Sequence, residues 1–583
     1  MKGFLHMKKK LLPALIVTGL IILVVIIMGI TALINKYTPT KKTEDLKEYF
    51  NISSDDEAAL IVDNELSDYK AKIIDKKIYV DYKFVHDSLN SRFYWDANEN
   101  VLLYTTASDI ISAASDSNSY SVTKQTNDFG YPIVKATSDS ALIALDYVKQ
   151  YSNITFKSYD DPARIVITSK WDEIDSATVS NSTQIRVKGG IKSPILKEVK
   201  KDDTITILDS GDKWDKVATE DGVIGYIKRK ALSESKKTKL TNPDYEEETF
   251  KHIKKDKDIC LAWNQVTSQS ANSKVPQVIS STKGINVMSP TWFYLNDNNG
   301  NLADIASKDY VSYCHSQGIE VWGLFSNLEN TDVDAAYVLT HTSTRTTLIN
   351  QIMSAAFNYE LDGVNIDFEN ITEAAYGDSY IEFIRELSIK CHNNGISLSV
   401  DVTVPASFNK FFNRSDMANF ADYIVIMGYD EHYKGSDAGS VSSIPWVTEG
   451  VESTLKEVPA DQIILGMPFY TRIWELTPKE DDDAVTDTED QSKYTVASQV
   501  YSMDAAAAQL ATNNATAALD EESGQNYAEW SVSNKLYKVW LEDSTSLEKR
   551  LKLVDDNKLA GAAFWKLGFE NSSVWDTVIK YLD

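Results

Sequence analysis

Residues 362–369 read Asp-Gly-Val-Asn-Ile-Asp-Phe-Glu, and polar and apolar side chains alternate from Val364 onward. In a β-strand this alternation places Asn365, Asp367 and Glu369 on one face and three apolar side chains on the other. Burying three polar groups, two of them acidic, is costly unless they serve a purpose. Adjacent like charges are expected to raise one carboxyl pKa, which suits general-acid catalysis near neutral pH. A buried polar network or an ion site is the alternative interpretation.

This strand is the fourth of eight apolar, β-rich runs that alternate with helical stretches over about 330 residues. Near-continuous apolar runs are typical of strands buried on both faces, and eight of them predict an α/β protein with a C-terminal (β/α)8 TIM barrel. We expect the barrel over 250–583, with a small α+β insertion at about 475–555 between strands 7 and 8. The eight runs are 259–266, 284–295, 319–327, 361–370, 396–405, 421–432, 462–474 and 560–569.

The fourth run is similar to the DGxDxDxE signature of glycoside hydrolase family 18. Met427-Gly428-Tyr429-Asp430 resembles the MxYD motif on that family's sixth strand, and Trp565 matches the aromatic floor under the sugar. The resemblance covers most of residues 255–583. It implies a glycosidase that acts without a metal ion or a cofactor.

The resemblance also implies a substrate-assisted mechanism that retains the anomeric configuration. Glu369 would protonate the glycosidic oxygen, while the 2-acetamido oxygen of the substrate attacks the anomeric carbon to give an oxazolinium ion. Asp367 would orient the acetamido group and balance its positive charge, and Tyr429 would donate to the acetamido oxygen. Asp430 would contact the sugar.

One residue departs from the family pattern, because Asn365 stands where the signature has its first aspartate. An amide can donate to Asp367 but cannot share its proton. This variant resembles the branch of spore-cortex-lytic N-acetylglucosaminidases, which implies cleavage of β-1,4 bonds next to N-acetylglucosamine in peptidoglycan. Hydrolysis of chitin oligomers by the same chemistry is a second possibility, and a non-catalytic, lectin-like barrel is a third.

Four further side chains are candidates for substrate binding. Trp263 and Trp292, near the ends of strands 1 and 2, are expected either to stack on sugar faces or to pack in the core. Arg472, after strand 7, is expected to contact the substrate or to form a salt bridge. Met427 completes the substrate-binding set.

The N-terminus predicts a membrane anchor. Residues 11–34 carry no charge, and at about 1.5 Å per residue a helix of this length spans a hydrocarbon core of ~30 Å. The lysines within residues 1–10 predict a cytoplasmic tail, with the rest of the chain outside a Gram-positive-type cell or in a spore envelope. A cleaved signal peptide is the alternative.

Two smaller domains are expected between the anchor and the barrel, after a polar linker at 35–56. Residues 57–172 contain a weak repeat, 79–106 against 142–169, and resemble the α+β domain named after copper amine oxidases, without a copper site. Residues 183–235 contain short strands separated by turns and predict a small β-barrel. Their order of Arg186, Trp214 and Tyr226 resembles bacterial SH3-like domains, which implies binding of cell-wall peptide; a spacer without a ligand is the alternative.

The overall charge excludes one class of partner. The 583 residues contain 59 lysines and arginines against 85 aspartates and glutamates, a net charge of −26. Nucleic acid is therefore not expected as a partner, because phosphate binding requires a basic surface.

Overall fold

The computed structural model describes residues 2–371, 376–479 and 490–582, with the backbone alone for 2–12. The chain forms two compact units. One consists of Met1–Ser91 with Pro132–Glu247, and the other of Arg92–Tyr131 with Glu248–Asp583.

The second unit contains the predicted eight-stranded barrel. Each strand pairs in parallel with the next, and the eighth pairs with the first, so the sheet closes on itself. All eight predicted strands are confirmed. They are β1 (Ile259–Asn264), β2 (Val287–Leu295), β3 (Glu320–Ser326), β4 (Gly363–Asp367), β5 (Ser397–Thr403), β6 (Tyr423–Met427), β7 (Ile463–Pro468) and β8 (Gly561–Trp565).

The alternation along β4 divides its side chains as expected. Val364, Ile366 and Phe368 belong to the apolar cluster between the strands and the surrounding helices. A separate cluster, which includes Trp263 and Trp322, fills the barrel interior. Fully burying one large apolar side chain contributes about 1.5–3 kcal/mol, so these two layers hold the strand ends in place.

Helices cover the outside of the barrel. The two used below are α1 (Thr342–Tyr359) and α2 (Gly377–His392). In the described part of the barrel unit, the other α-helices outside the insertion are Val275–Val278, Lys308–Ser316, Ala335–Thr340, Arg414–Phe420, Ile444–Thr454, Ser544–Asn557 and Val574–Val578.

In its described residues, the insertion between β7 and β8 forms a five-stranded antiparallel sheet with one α-helix, Met503–Thr512. It begins at Tyr470, a few residues before the expected start, because the chain continues from β7 almost directly into the first strand. Residues 480–489 of the expected insertion lie outside the described residues. The strands are Tyr470–Pro478, Tyr494–Ser502, Ala518–Asp520, Gln525–Val532 and Lys535–Leu541.

A small antiparallel sheet from residues 93–128 forms part of the barrel unit. Thr105 Oγ1 donates to Glu382 of α2 at 2.8 Å, and the Tyr94 and Ser379 hydroxyls are hydrogen-bonded at 2.9 Å. The sheet covers buried polar groups of α2 that water would otherwise have to solvate. Its strands are Phe93–Asp96, Val101–Thr105, Ile110–Ala114, Ser119–Val122 and Gln125–Asp128.

The accessory domain expected over 57–172 is therefore not one continuous unit, since its middle belongs with the barrel. Both repeat copies have the same order of elements, a strand, a helix and a hairpin. The hairpin of the first copy, Phe93–Thr105, pairs with the strand Ile110–Ala114. The hairpin of the second, Thr155–Thr168, pairs instead with Glu57–Val62. Sequence similarity between the copies gives no sign of these different partners.

The first unit contains two seven-stranded sheets. One consists of Glu57–Val62, Glu65–Ile74, Lys77–Asp81, Val134–Ala136, Ala141–Ala144, Thr155–Tyr159 and Arg164–Thr168, with the helices Tyr82–Ser88 and Leu145–Tyr151. The other, at the place of the expected SH3-like domain, consists of Glu173–Thr178, Thr183–Arg186, Ile195–Val199, Thr204–Asp209, Trp214–Thr219, Ile224–Lys228 and Lys236–Lys239. The first and last of these strands lie outside the range 183–235 that was expected for the SH3-like domain.

The linker expected over 35–56 is wrong from Thr40 onward, where the chain is hydrogen-bonded to the first unit. Glu44 N donates to Ile195 O at 2.8 Å, and Tyr49 OH donates to Ile224 O at 2.6 Å. Phe50 is 1% exposed and packs in the core of the first unit. The polar composition of the segment concealed these few anchoring aromatic residues.

The N-terminal helix extends over Lys2–Tyr37. Residues Pro13–Tyr37 are long and apolar enough to cross a membrane, and they are not buried inside the protein. Length and composition fit both an anchor and a signal sequence.

Candidate active site

Asn365 lies inside the barrel at the centre of a hydrogen-bond network and is fully buried. Its Oδ1 accepts from Trp263 Nε1 at 2.9 Å and from Ser289 Oγ at 3.0 Å. Its Nδ2 donates to Ser399 Oγ at 3.0 Å and to Asp401 Oδ1 at 2.7 Å. A hydrogen bond from the Asn365 amide to Asp367 is not observed. Asp401 on the neighbouring strand accepts that hydrogen bond instead.

Asp401 is the acidic residue that the sequence analysis missed. It lies on β5, is 3% exposed, and its pKa is raised well above the ordinary value because the carboxyl is buried. The hydrogen bond from Asn365 opposes this rise, and the charge of Glu369 adds to it. The signal was present in the sequence: Ser397, Ser399 and Asp401 alternate with apolar residues as β4 does.

Asp367 is also buried, at 9% exposure, and its Oδ1 has no hydrogen-bond partner among the described residues. Burial raises the pKa of this carboxyl well above its ordinary value, and the charges of Asp401, Glu369 and Glu329 raise it further. An orphaned buried acceptor is costly, so such an atom points to a partner that arrives with the substrate.

Glu369 follows the C-terminal end of β4 and is exposed to solvent. Partial desolvation of its carboxyl raises its pKa, and the nearby charges of Asp430 and Glu329 raise it further. Glu329, which follows β3 and accepts from Ser326 Oγ, was also missed by the sequence analysis. A glutamate held protonated at a higher pH than usual is suited to donate a proton.

Tyr429 and Asp430 follow β6, next to the acidic group. Burial raises the pKa of the Tyr429 phenol well above its ordinary value, and the charges of Asp367, Glu369 and Asp401 raise it further. Tyr429 is therefore a neutral hydroxyl available as a donor.

Asp430 is held by the first strand of the insertion. It accepts a hydrogen bond from Tyr470 OH and forms an ion pair with Arg472 Nη2 at 3.8 Å. The salt-bridge alternative for Arg472 is thus the one observed. Asp430 connects the insertion to the proton donor, because its charge raises the pKa of Glu369.

The three tryptophans have different positions. Trp565, at the end of β8, is half-buried and packs edge-to-face on Trp263 with ring centroids 6.0 Å apart. Trp263 is 1% exposed and holds Asn365, so stacking on a sugar is wrong for this residue. Stacking is also wrong for Trp292, which is fully buried in the helix-facing layer and donates to Asn272 Oδ1 at 2.8 Å.

Met427 and Glu369 line the same cavity of about 140 Å³ at the ends of β4, β5 and β6. The cavity wall is mostly apolar, and Phe408, after β5, is 78% exposed. The remaining lining residues are Phe368, Ile371, Asp401, Val402, Thr403, Asn409, Phe411 and Phe412. Catalytic groups of TIM barrels lie at this C-terminal face.

Comparison with known proteins identifies the domain. Residues 315–570 match the family model described as glycosyl hydrolases family 18. The uncharacterized glycosylase YvbX of Bacillus subtilis is 24% identical over 302 residues, which cover 49% of this chain and 81% of that protein. The cortical fragment-lytic enzyme of the same organism is 24% identical over 287 residues, 48% of this chain and 63% of the enzyme.

A solved structure is also similar. The crystal structure of the spore cortex-lytic enzyme SleL of Bacillus cereus is 19% identical, with a TM-score of 0.49, and the match covers 57% of this chain and 76% of that one. This chain spans less than two thirds of the length of the B. subtilis cortical fragment-lytic enzyme. Residues 315–570, less than half of the chain, thus resemble a family 18 glycosyl hydrolase domain, and this match supports the glycosidase class that the sequence predicts.

Proposed function

We propose that this chain is a membrane-anchored hydrolase of peptidoglycan that cleaves β-1,4 bonds next to N-acetylglucosamine. The observation that carries the proposal is the pair of acids at the end of β4. Glu369 is exposed and has a raised pKa, and Asp367, two residues earlier, has a buried oxygen without a hydrogen-bond partner among the described residues. Glu369 is suited to donate a proton, and Asp367 is suited to accept a hydrogen bond from an amide N–H of the substrate.

The mechanism we propose is substrate-assisted. Glu369 protonates the glycosidic oxygen while the 2-acetamido oxygen attacks the anomeric carbon. Asp367 accepts from the acetamido N–H and balances the positive charge that develops on the ring. Tyr429 donates to the acetamido oxygen, and Glu369 then takes a proton from the water that opens the oxazolinium ion. The configuration at the anomeric carbon is retained.

The remaining contacts place the sugar in this scheme. Trp565 forms the floor beneath it, and Asp430 accepts from a sugar hydroxyl while Tyr470 and Arg472 hold the aspartate. Met427 contributes to the apolar wall. Trp263 acts through Asn365 and does not meet the substrate.

Peptidoglycan is favoured over chitin by the similarity to a cortical fragment-lytic enzyme and by the helix that precedes the body of the chain. A further part of the proposal concerns the first unit. A cavity of about 340 Å³ is lined by Tyr159, Lys197 and Asp221, and a zwitterionic wall peptide would bind there by exchanging partners with the Lys197–Asp221 ion pair.

The test is a comparison of products from three substrates, namely peptidoglycan, chitin oligomers and N-glycans. The proposal predicts release from peptidoglycan of fragments with N-acetylglucosamine at the reducing end. Proton NMR of the first products should show the β-anomer before mutarotation. If chitin oligomers are cleaved efficiently while peptidoglycan remains intact, the enzyme is a chitinase. An initial α-anomer would contradict the retaining mechanism.

A further inference from the structure

We propose that Asp367 and Asp401 hold one proton between them, and that Asp401 is the positioning residue that takes this proton when Asp367 must be negative. The inference rests on the proposed function, since it concerns how Asp367 changes charge during turnover. It assigns to β5 a role that the sequence motif on β4 does not contain.

The strand register brings the two carboxyls together. In the β4–β5 pair, Asn365 lies opposite Ser399 and Ile366 lies opposite Val400. The next position along both strands is occupied by Asp367 and Asp401. Because successive side chains alternate, both acids point to the same inner face as Asn365.

The amide of Asn365 has one orientation in this network. An indole N–H can only donate, so Trp263 requires the amide oxygen on its own side. The amide nitrogen must then face β5, where it donates to Asp401 Oδ1 at 2.7 Å. This bond occupies one oxygen of Asp401 and leaves the other free to carry a proton.

Within the described ranges, neither Asp367 nor Asp401 forms an ion pair with a cation. Two ionised carboxylates in one buried site repel each other, so such a pair retains a proton. Burial raises the pKa of each above the ordinary value, and the surrounding groups are also acidic or neutral. The titratable groups that interact with the pair are Glu369, Glu329, Tyr380 and Tyr429.

The proton transfer balances within the pair. In the free enzyme the O–H bond is on Asp367, and Asp401 is ionised and accepts a hydrogen bond from the Asn365 amide. As the oxazolinium charge develops, the O–H bond of Asp367 breaks and one forms on Asp401. The pair keeps a net charge of −1, and the negative charge moves next to the substrate. Hydrolysis of the oxazolinium ion reverses the transfer.

The first test uses Asp401→Asn and the exchanged pair Asn365→Asp/Asp401→Asn. Asparagine at 401 keeps the shape but cannot take a proton, so kcat should fall about 100-fold with little change in KM. The pH profile of kcat should also change its shape. The exchanged pair reverses the hydrogen bond between residues 365 and 401 and keeps one carboxyl beside Asp367. Its kcat should therefore be at least about tenfold higher than that of Asp401→Asn. Unchanged kcat and pH profile in Asp401→Asn would overturn the inference.

A second test does not require activity and therefore separates this inference from the proposed function. Infrared difference spectra of the full chain in detergent near neutral pH should show that Asp367→Asn loses a carboxylic-acid carbonyl band. Asp401→Asn should lose a carboxylate band and shift that acid band, because the proton on Asp367 loses its neighbouring carboxylate. Asp416→Asn, which removes an acid paired with Arg385, should leave the acid band in place and serves as the control. Loss of carboxylate bands alone, an acid band that Asp401→Asn leaves in place, or loss of a different acid band in each variant would overturn the inference.

If Asp401→Asn does not fold, as judged by circular dichroism, the kinetic and infrared measurements are made on the exchanged pair instead. A folded exchanged pair that keeps the acid band supports the inference, and a folded exchanged pair without it contradicts the inference.

Discussion

Glu369 lies among acidic neighbours that come from three different strand ends. Asp367 precedes it on β4, Glu329 follows β3, and Asp430 follows β6. Partial desolvation raises the pKa of Glu369, and the charges of Asp430 and Glu329 raise it further. A general acid must be protonated, so kcat/KM should fall as the pH rises through this raised value.

Replacing Glu329 with Gln tests this arrangement. The amide keeps the acceptor for Ser326 but removes one negative charge, so the pKa of Glu369 should fall. The alkaline limb of the pH profile should move to lower pH by about half a unit. Asp332→Asn, an exposed position on the same loop, should leave the limb in place. A limb that stays or moves upward in Glu329→Gln would contradict the electrostatic account.

At the residue scale, the sequence predicted the inner face of β4 because alternation is a local property. It did not predict the partner of Asn365. Asp401 lies 36 residues later in the chain and becomes a neighbour only through strand pairing. The same polar alternation on β5 was visible, but no motif drew attention to it.

At the element scale, each tryptophan's position depends on which face of its strand it occupies. Trp263 points into the barrel, whereas Trp292 points to the helices, after a register shift between Thr291 and Phe293 of β2. A short run of apolar residues does not reveal such a shift. The expectation of sugar stacking was therefore wrong for both residues, for different reasons.

The small sheet of residues 93–128 supports the start of α1, and this contact gives a second prediction. Asp96 Oδ2 accepts from Thr342 N and from Thr342 Oγ1, each at 2.6 Å, as an N-terminal cap does. Asp96→Ala should destabilise the first turn of α1 by about 1 kcal/mol, which speeds amide exchange there about fivefold.

Hydrogen–deuterium exchange with mass spectrometry of peptides from 342–359 measures this effect locally. Lys124→Ala, an exposed change in the same small sheet, should leave the exchange of these peptides unchanged. Unaltered protection of the first turn in Asp96→Ala would show that the sheet does not cap α1.

At the scale of the whole molecule, the sequence predicted the barrel but not the course of the domains. The barrel is readable because its eight strands are long apolar runs at regular intervals. The segment 92–131 joins the barrel unit although it stands before residues 132–247, which do not. Local sequence patterns do not show which distant segments of a chain pack together.

The N-terminal helix gives a prediction for the complete chain. Its residues Pro13–Tyr37 would extend about 37 Å at 1.5 Å per residue, enough to cross a bilayer core. The full chain should therefore remain in the membrane pellet after an alkaline carbonate wash and enter the soluble fraction only with detergent. Mass spectrometry should recover the intact N-terminal peptide. A soluble protein that begins after residue 30 would show a cleaved signal peptide instead.

The central claim is that the acid at the end of β4 hydrolyses a wall glycan, and one measurement tests it most directly. Purified peptidoglycan is digested with the full chain and with Glu369→Gln in parallel, and the released fragments are identified by mass spectrometry. The account predicts fragments ending in reducing N-acetylglucosamine from the unaltered chain, and at least about 1000-fold slower release by Glu369→Gln. Equal release by both proteins would contradict the assignment of Glu369. No release by either, with chitin oligomers also intact, would contradict the claim of hydrolysis.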